Sequence, residues 1–324
     1  MSPIRRVALS LAALPLLLAG SVTSSALCQA TDSPPPPAWS TGVAYDLGRS
    51  RLVVFGGYFR GLIGGTWEWD GRGWMRTAVD GPSPRNAPGM VYDAARGQML
   101  LFGGDRGQEG ALGDTWVYDS SGWRRLAVAG PSARSIHAMV YDSRREKVVL
   151  FGGVADGKTL GDTWEWDGAR WAQVADGGPP ARALHGLAYD PLRGVTVLFG
   201  GQGILAPDEP SLGDTWEWDG SRWAERQAAP AGPRDHVAMA FNPKRQALML
   251  FGVSADGAAG AAGGESWLYS GGAWSRLSSD GPRRGGAKLV LEPASGRMLL
   301  YGGGDGGPTN EIWAWEGDRW SLLR

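Results

Sequence analysis

Cysteine is almost missing from this chain: Cys28 is the only one in 324 residues. A single cysteine can form neither an internal disulfide nor a thiolate metal cluster, and removal of the whole leader would leave no thiol nucleophile. Histidine is also scarce, with only His137, His185 and His236. A single long apolar run is present, Val7 to Ala19, so no second membrane span is expected. No stretch of Lys and Arg forms a basic stripe, which argues against nucleic acid as a partner. Outside the leader, no segment keeps a helical period.

The leader itself is legible. Arg5-Arg6 precede the apolar run and no acidic residue occurs before Asp32. This is the layout of a secretion signal over residues 1–30, with cleavage sites after Ala26 or Ala30. Localisation is therefore expected to be periplasmic or extracellular. Cys28 allows an N-terminal lipid, the one route to a membrane, although Leu27 is a poor match to the small residue expected before it. Residues 31–37 carry four consecutive prolines and read as an extended linker. Without the two leader arginines, 30 basic residues face 33 acidic ones, a net charge of −3.

What the chain has in excess is glycine and tryptophan, and both are periodic. An aromatic followed by glycine recurs at Phe55, Phe102, Phe151, Phe199, Phe251 and Tyr301, at steps of 47, 49, 48, 52 and 50 residues. A second anchor keeps the same period: Trp67, Trp116, Trp164, Trp216, Trp267 and Trp313. Such self-similarity marks a repeat architecture whose units cannot bury their apolar surface alone. In the third unit, His137–Asp142 alternates as a strand and Lys147–Phe151 is a short apolar strand. Gly152–Leu160 is a polar loop. Thr163–Trp166 and Trp171–Val174 form a third and a fourth strand around Asp167-Gly168. Tyr118 and Tyr269 replace the middle Trp in two units, and sixteen of seventeen tryptophans fall on this scheme. They are expected to pack between units. Four antiparallel strands repeated six times predict an all-β, six-bladed propeller. The blades cover about 38–84, 85–133, 134–181, 182–233, 234–283 and 284–324. The phrase starts and stops in register, so the ring is expected to close without a swapped strand. A monomer is expected.

Phe-Gly-Gly closing the second strand, an aromatic third strand, a Trp opening the fourth, and Arg-x-x-His before the first strand resemble kelch repeats over residues 38–324. Trp166-Asp167 and Trp218-Asp219 spell the WD dipeptide, but the period is too long and the glycine pair is foreign to that family. The fifth unit departs with Gly252-Val253, which puts its turn in doubt. The resemblance extends to galactose oxidase, whose copper site needs a Cys–Tyr crosslink that the mature chain cannot make. Sialidases share six blades, but their Asp-box lies between the third and fourth strands, whereas Gly-Asp-Thr-Trp here precedes the third. The kelch enzyme that mutarotates N-acetylneuraminate is similar at fold level, with Arg134, Arg182, Glu109, Glu209 and the histidines available for such chemistry. No catalytic motif is matched, and no cofactor is expected.

Candidate ligand-binding residues follow from alignment of the copies. Arg85, Arg134, Arg182, Arg234 and Arg284 open the first strands of five blades, where blade one has Ala38. They read either as a cationic ring around the channel or as partners of Asp114, Asp162, Asp214, Glu265 and Glu311. These acids stand two residues before each anchor Trp, and blade one has Gly65 there. Both charges vanish from the same blade, which favours pairing. His137 and His185 share one repeat position and His236 is shifted by one, so a three-histidine metal site is disfavoured. Tyr58, Phe59 and Arg60 in blade one form either a cover over the missing pair or a contact patch. The expected function is a protein- or glycan-binding module using the loop face. The alternative is a carbohydrate-active isomerase, mutarotase or lyase acting on acidic sugars at the same face.

Overall fold

A computed structural model describes residues 33–77, 80–203, 210–227, 232, 234, 236–253 and 263–324. The leader with Cys28, the first linker residues and Glu209 lie outside them. The described chain forms six antiparallel sheets of four strands, each built from consecutive strands. Blade three runs Ala138–Asp142, Lys147–Phe151, Thr163–Trp166 and Trp171–Ala175. The first strands of the other blades are Gly42–Asp46, Gly89–Asp93, Gly186–Asp190, Ala238–Asn242 and Lys288–Glu292. These six inner strands line the central channel. The ring is a six-bladed propeller that closes without strand exchange, and the only helical element among the described residues is a 3₁₀ turn at Gly107–Glu109.

The second strands explain their apolar runs. Val148, Val149, Leu150 and Phe151 have no exposed surface, because a neighbouring blade covers each face. Between blades, each aromatic anchor meets the fourth-strand Trp of the next blade. Ring centroids lie 5.2 Å apart for Phe55 and Trp123, 5.4 Å for Phe102 and Trp171, and 5.3 Å for Phe151 and Trp223. The next two pairs, Phe199–Trp274 and Phe251–Trp320, lie at 5.0 and 5.4 Å. Tyr301 and Trp74 close the circle at 5.7 Å. Each tilted pair is worth about 0.5–1.5 kcal/mol beyond the area it buries.

The indole N–H at each seam also needs an acceptor. Trp123, Trp171, Trp223, Trp274 and Trp320 donate to Thr66, Thr115, Thr163, Thr215 and Ser266 at 2.8–3.1 Å. In blade six that position is Ile312, and the buried Nε1 of Trp74 has no partner among the described residues. The seam between blades six and one is therefore held by packing, in a cluster that joins Val43, Val54 and Trp74 to Leu299, Tyr301 and Ile312.

A second set of contacts explains the tyrosine replacements. Buried Glu68 accepts from Tyr118 of the next blade at 2.6 Å, and Glu217 accepts from Tyr269 at 2.7 Å. Burial, and then the carboxylate beside each hydroxyl, raise both phenols above their ordinary range.

Three local readings differ from the structure. The loop after Phe151 contains a two-stranded hairpin, Val154–Ala155 with Lys158–Thr159, turned by Asp156-Gly157 at positive φ of 49° and 74°. In five blades both glycines after the anchor have positive φ, as at Gly152 (65°) and Gly153 (100°). A Cβ on Gly153 would lie 2.7 Å from the carbonyl oxygen of Ser135. In blade five, Gly252 instead continues its strand and pairs with Glu265. The proline linker also changes character at its end: Pro35 is buried, and its carbonyl accepts a 2.6 Å hydrogen bond from Asn310 of blade six.

Candidate functional site

The loops between second and third strands share one face with the connections between blades. On that face the arginines do not form a charged ring. Arg85, Arg134 and Arg182 are fully buried and Arg234 is 2% exposed. Arg85 donates to both oxygens of Asp114 at 2.6 and 3.0 Å, to the Gly103 carbonyl at 3.0 Å and to the Ser83 carbonyl at 3.0 Å. Arg134 holds Asp162 at 2.7 and 2.8 Å, and Arg182 holds Asp214 at 2.6 Å through both nitrogens. Arg234 pairs with Glu265 at 2.9 Å, and Arg284 pairs with Glu311. The anchor tryptophans complete the clamp: Trp116, Trp164 and Trp216 each donate to the same acid at 2.7 Å.

The acid and the Trp lie two residues apart, so alternation in the strand puts both on one face. Burial pushes Asp114, Asp162 and Asp214 up, but the donated hydrogen bonds and the guanidinium outweigh it, and all three sit below the usual carboxylate range. A buried guanidinium with both forks used has nothing left to offer a ligand. For Arg85, Arg134 and Arg182 this geometry gives a bracing role, and Arg234 and Arg284 are ion-paired with the acids of their own blades.

The histidines also turn inward. His137 and His185 are buried between blades, edge-on to Phe102 and Phe151 at 5.6 and 5.4 Å. Burial, then the neighbouring Arg134 or Arg182, pushes both pKa values down to about 3, so both rings are neutral. Among the described residues, neither ring's nitrogens have a hydrogen-bond partner. His236 is different: it is exposed at the channel mouth with a φ of 51°. All three border the central channel.

Blade one has neither half of the clamp, and its loop behaves differently. Tyr58 and Phe59 are 47% and 42% exposed, and they are the only aromatics among the exposed large apolar side chains described. Their rings do not fill the place of the missing pair. Ala38 and Thr41 pack against Gly57 instead, where a Cβ would lie within 2.8 Å of either side chain. Arg60 stacks its guanidinium over Phe59 at 5.2 Å and holds a φ of 57°.

Sequence reasoning missed Trp39. Its backbone pairs with Tyr58 through two 3.0 Å hydrogen bonds, Trp39 N–H to Tyr58 and Tyr58 N–H to Trp39. Its ring lies over the blade-six loop, 2.8 Å from where a Cβ on Gly304 would stand. The signal was available: Trp39 is the one tryptophan outside the repeat scheme. Trp39, Tyr58, Phe59 and Arg60 thus form one aromatic and cationic patch at the closing seam.

The family model described as the KLHDC2/KLHL20/DRC7 Kelch-repeats domain matches residues 65–252, more than half of the chain. Among solved structures, one titled "Structure of YjhT" superposes with a TM-score of 0.69 at 14% identity, covering 90% of this chain and 99% of that one. That likeness concerns the fold. No curated protein matches this sequence.

Proposed function

The chain belongs to the kelch-repeat family, and on that premise we propose that it is an exported binding module whose loop face engages a protein or glycan through blade one. The observation that carries this reading is the contrast in exposure. The arginines of blades two to five are buried in clamps and that of blade six is paired, while Tyr58 and Phe59 stand open beside Arg60. Exposed aromatics beside an arginine are what recognition surfaces use: flat rings that lose little entropy on contact, and a planar cation for a carboxylate or carbonyl. The leader of residues 1–30 supports export.

Thermal-shift screening of the mature protein with sialic and uronic acids, and with neutral polysaccharides as controls, tests the reading. A shift that disappears in Tyr58→Ser/Phe59→Ser supports a glycan at the patch. No shift with any sugar directs the search to a protein partner. Binding that survives the double variant contradicts the assignment to blade one. Arg134→Ala is unsuitable for this test, because it would break a clamp.

A further inference from the structure

One position of the inner strand is small in five blades: Gly42, Gly89, Ala138, Gly186 and Ala238. The next blade explains why. A Cβ on Gly89 would stand 2.4 Å from His137 Nε2 and 2.5 Å from Met139 Sδ, and one on Gly186 would stand 2.5 Å from Met239 Sδ. In blade six the same position is Lys288. The blade that follows is blade one, whose corresponding side chains are the shorter Thr41 and Val43. The closing seam therefore has room for a long side chain where the seams at Gly89 and Gly186 do not.

Lys288 lines a cavity of about 180 Å³ in the channel, together with Thr41, His137, His185 and His236. None of the described residues lining it is acidic. Among the described residues, Lys288 has no ion pair and no hydrogen bond to a side chain, although its side chain reaches water. The inner edges of six strands add backbone N–H and C=O groups that no further strand takes up.

We propose that this cavity is a binding site for a small oxyanion, a carboxylate or a phosphate, with Lys288 as its counter-charge. A lysine that faces the channel with no carboxylate among the described lining residues leaves the channel locally positive, and an anion entering it supplies the missing counter-charge. The volume holds several waters or one small oxyanion. The surrounding channel wall lowers the pKa of Lys288, while its side chain still reaches channel water. The site is separate from the blade-one patch, so either can fail without the other.

Lysine is rare enough to make the test clean: the chain has only Lys147, Lys158, Lys244 and Lys288. Reductive methylation with ¹³C-formaldehyde labels each lysine for NMR. Inorganic phosphate and acetate are then titrated against sodium chloride of equal ionic strength. The proposal expects a saturable shift of the Lys288 signal alone, a raised apparent pKa for that signal, and an increase in Tm. Lys288→Ala copies Ala138 and Ala238, so it is expected to fold, and it should weaken anion binding about tenfold or more. Lys288→Arg should retain binding. An unmoved Lys288 signal with both anions, or a Tm increase equally large in Lys288→Ala, overturns the proposal.

Discussion

Blade one and the five other blades are built from the same phrase but dispose of their charges and aromatics differently. In blades two to six an arginine, an acid and a tryptophan close on one another. Blade one has no such clamp, and its seam with blade six lacks the indole acceptor found at the other five. The residues it has instead, Trp39, Tyr58, Phe59 and Arg60, face the loop side, and Lys288 enters the channel at the same seam. In a repeat protein, side chains that hold the units together recur, while side chains free for other work stand where recurrence stops.

The largest effect is expected from opening a clamp. Asp214→Ala leaves the buried Arg182 unpaired and should cost about 3–5 kcal/mol in urea unfolding. Replacing both members with apolar residues of similar volume should cost far less. Equal losses from the single and the double variant would break the contrast between clamped and unclamped blades.

Acid should find the channel histidines next. Folded His137 and His185 refuse a proton down to about pH 3, whereas the unfolded chain accepts one at its ordinary value near 6.5. Between those limits the unfolded state binds more protons, so stability falls as pH falls. The slope is about 1.4 kcal/mol per pH unit for each histidine. The clamped carboxylates act lower: with depressed folded pKa values, their contribution is present above about pH 4 and is lost as pH falls through them. His137→Leu/His185→Leu should flatten the profile from pH 6.5 to 4.5. An unchanged slope over that window would contradict the buried neutral state.

The seams sharpen the comparison on a smaller scale. Thr115→Val removes the acceptor of Trp171 and should destabilise by about 1–3 kcal/mol. Ile312→Thr offers Trp74 the acceptor that the closing seam lacks but removes buried apolar volume, so the two effects should offset to within about 1 kcal/mol of the parent. A loss from Ile312→Thr as large as that from Thr115→Val would show that the closing seam depends on apolar packing alone. The smallest change in stability belongs to the patch: Tyr58→Ser/Phe59→Ser should stay within about 0.5 kcal/mol of the parent by thermal melting.

Much of the architecture could be read before any coordinates. Two anchors with one period are a sufficient sign of a six-bladed ring, and the joint absence of Ala38 and Gly65 from the charge pattern already pointed to pairing. The hairpin at Val154–Thr159 was missed because its strands are only two residues long, too short for alternation to register. Lys288 escaped notice for another reason. A single lysine at a strand start looks like a solvated end. Only the topology shows that this end lies in the channel, at the closing seam. Trp39 and Ile312 were visible as exceptions in the alignment of copies, but the consequence of each depends on a neighbour far away in sequence.

The central claim is that blades two to six use their arginines for themselves and that blade one presents its own. Side-by-side urea unfolding of Arg134→Ala and Arg60→Ala tests this most directly. The account predicts a loss of several kcal/mol for Arg134→Ala and no measurable change for Arg60→Ala. Equal losses, or the reverse order, would contradict it.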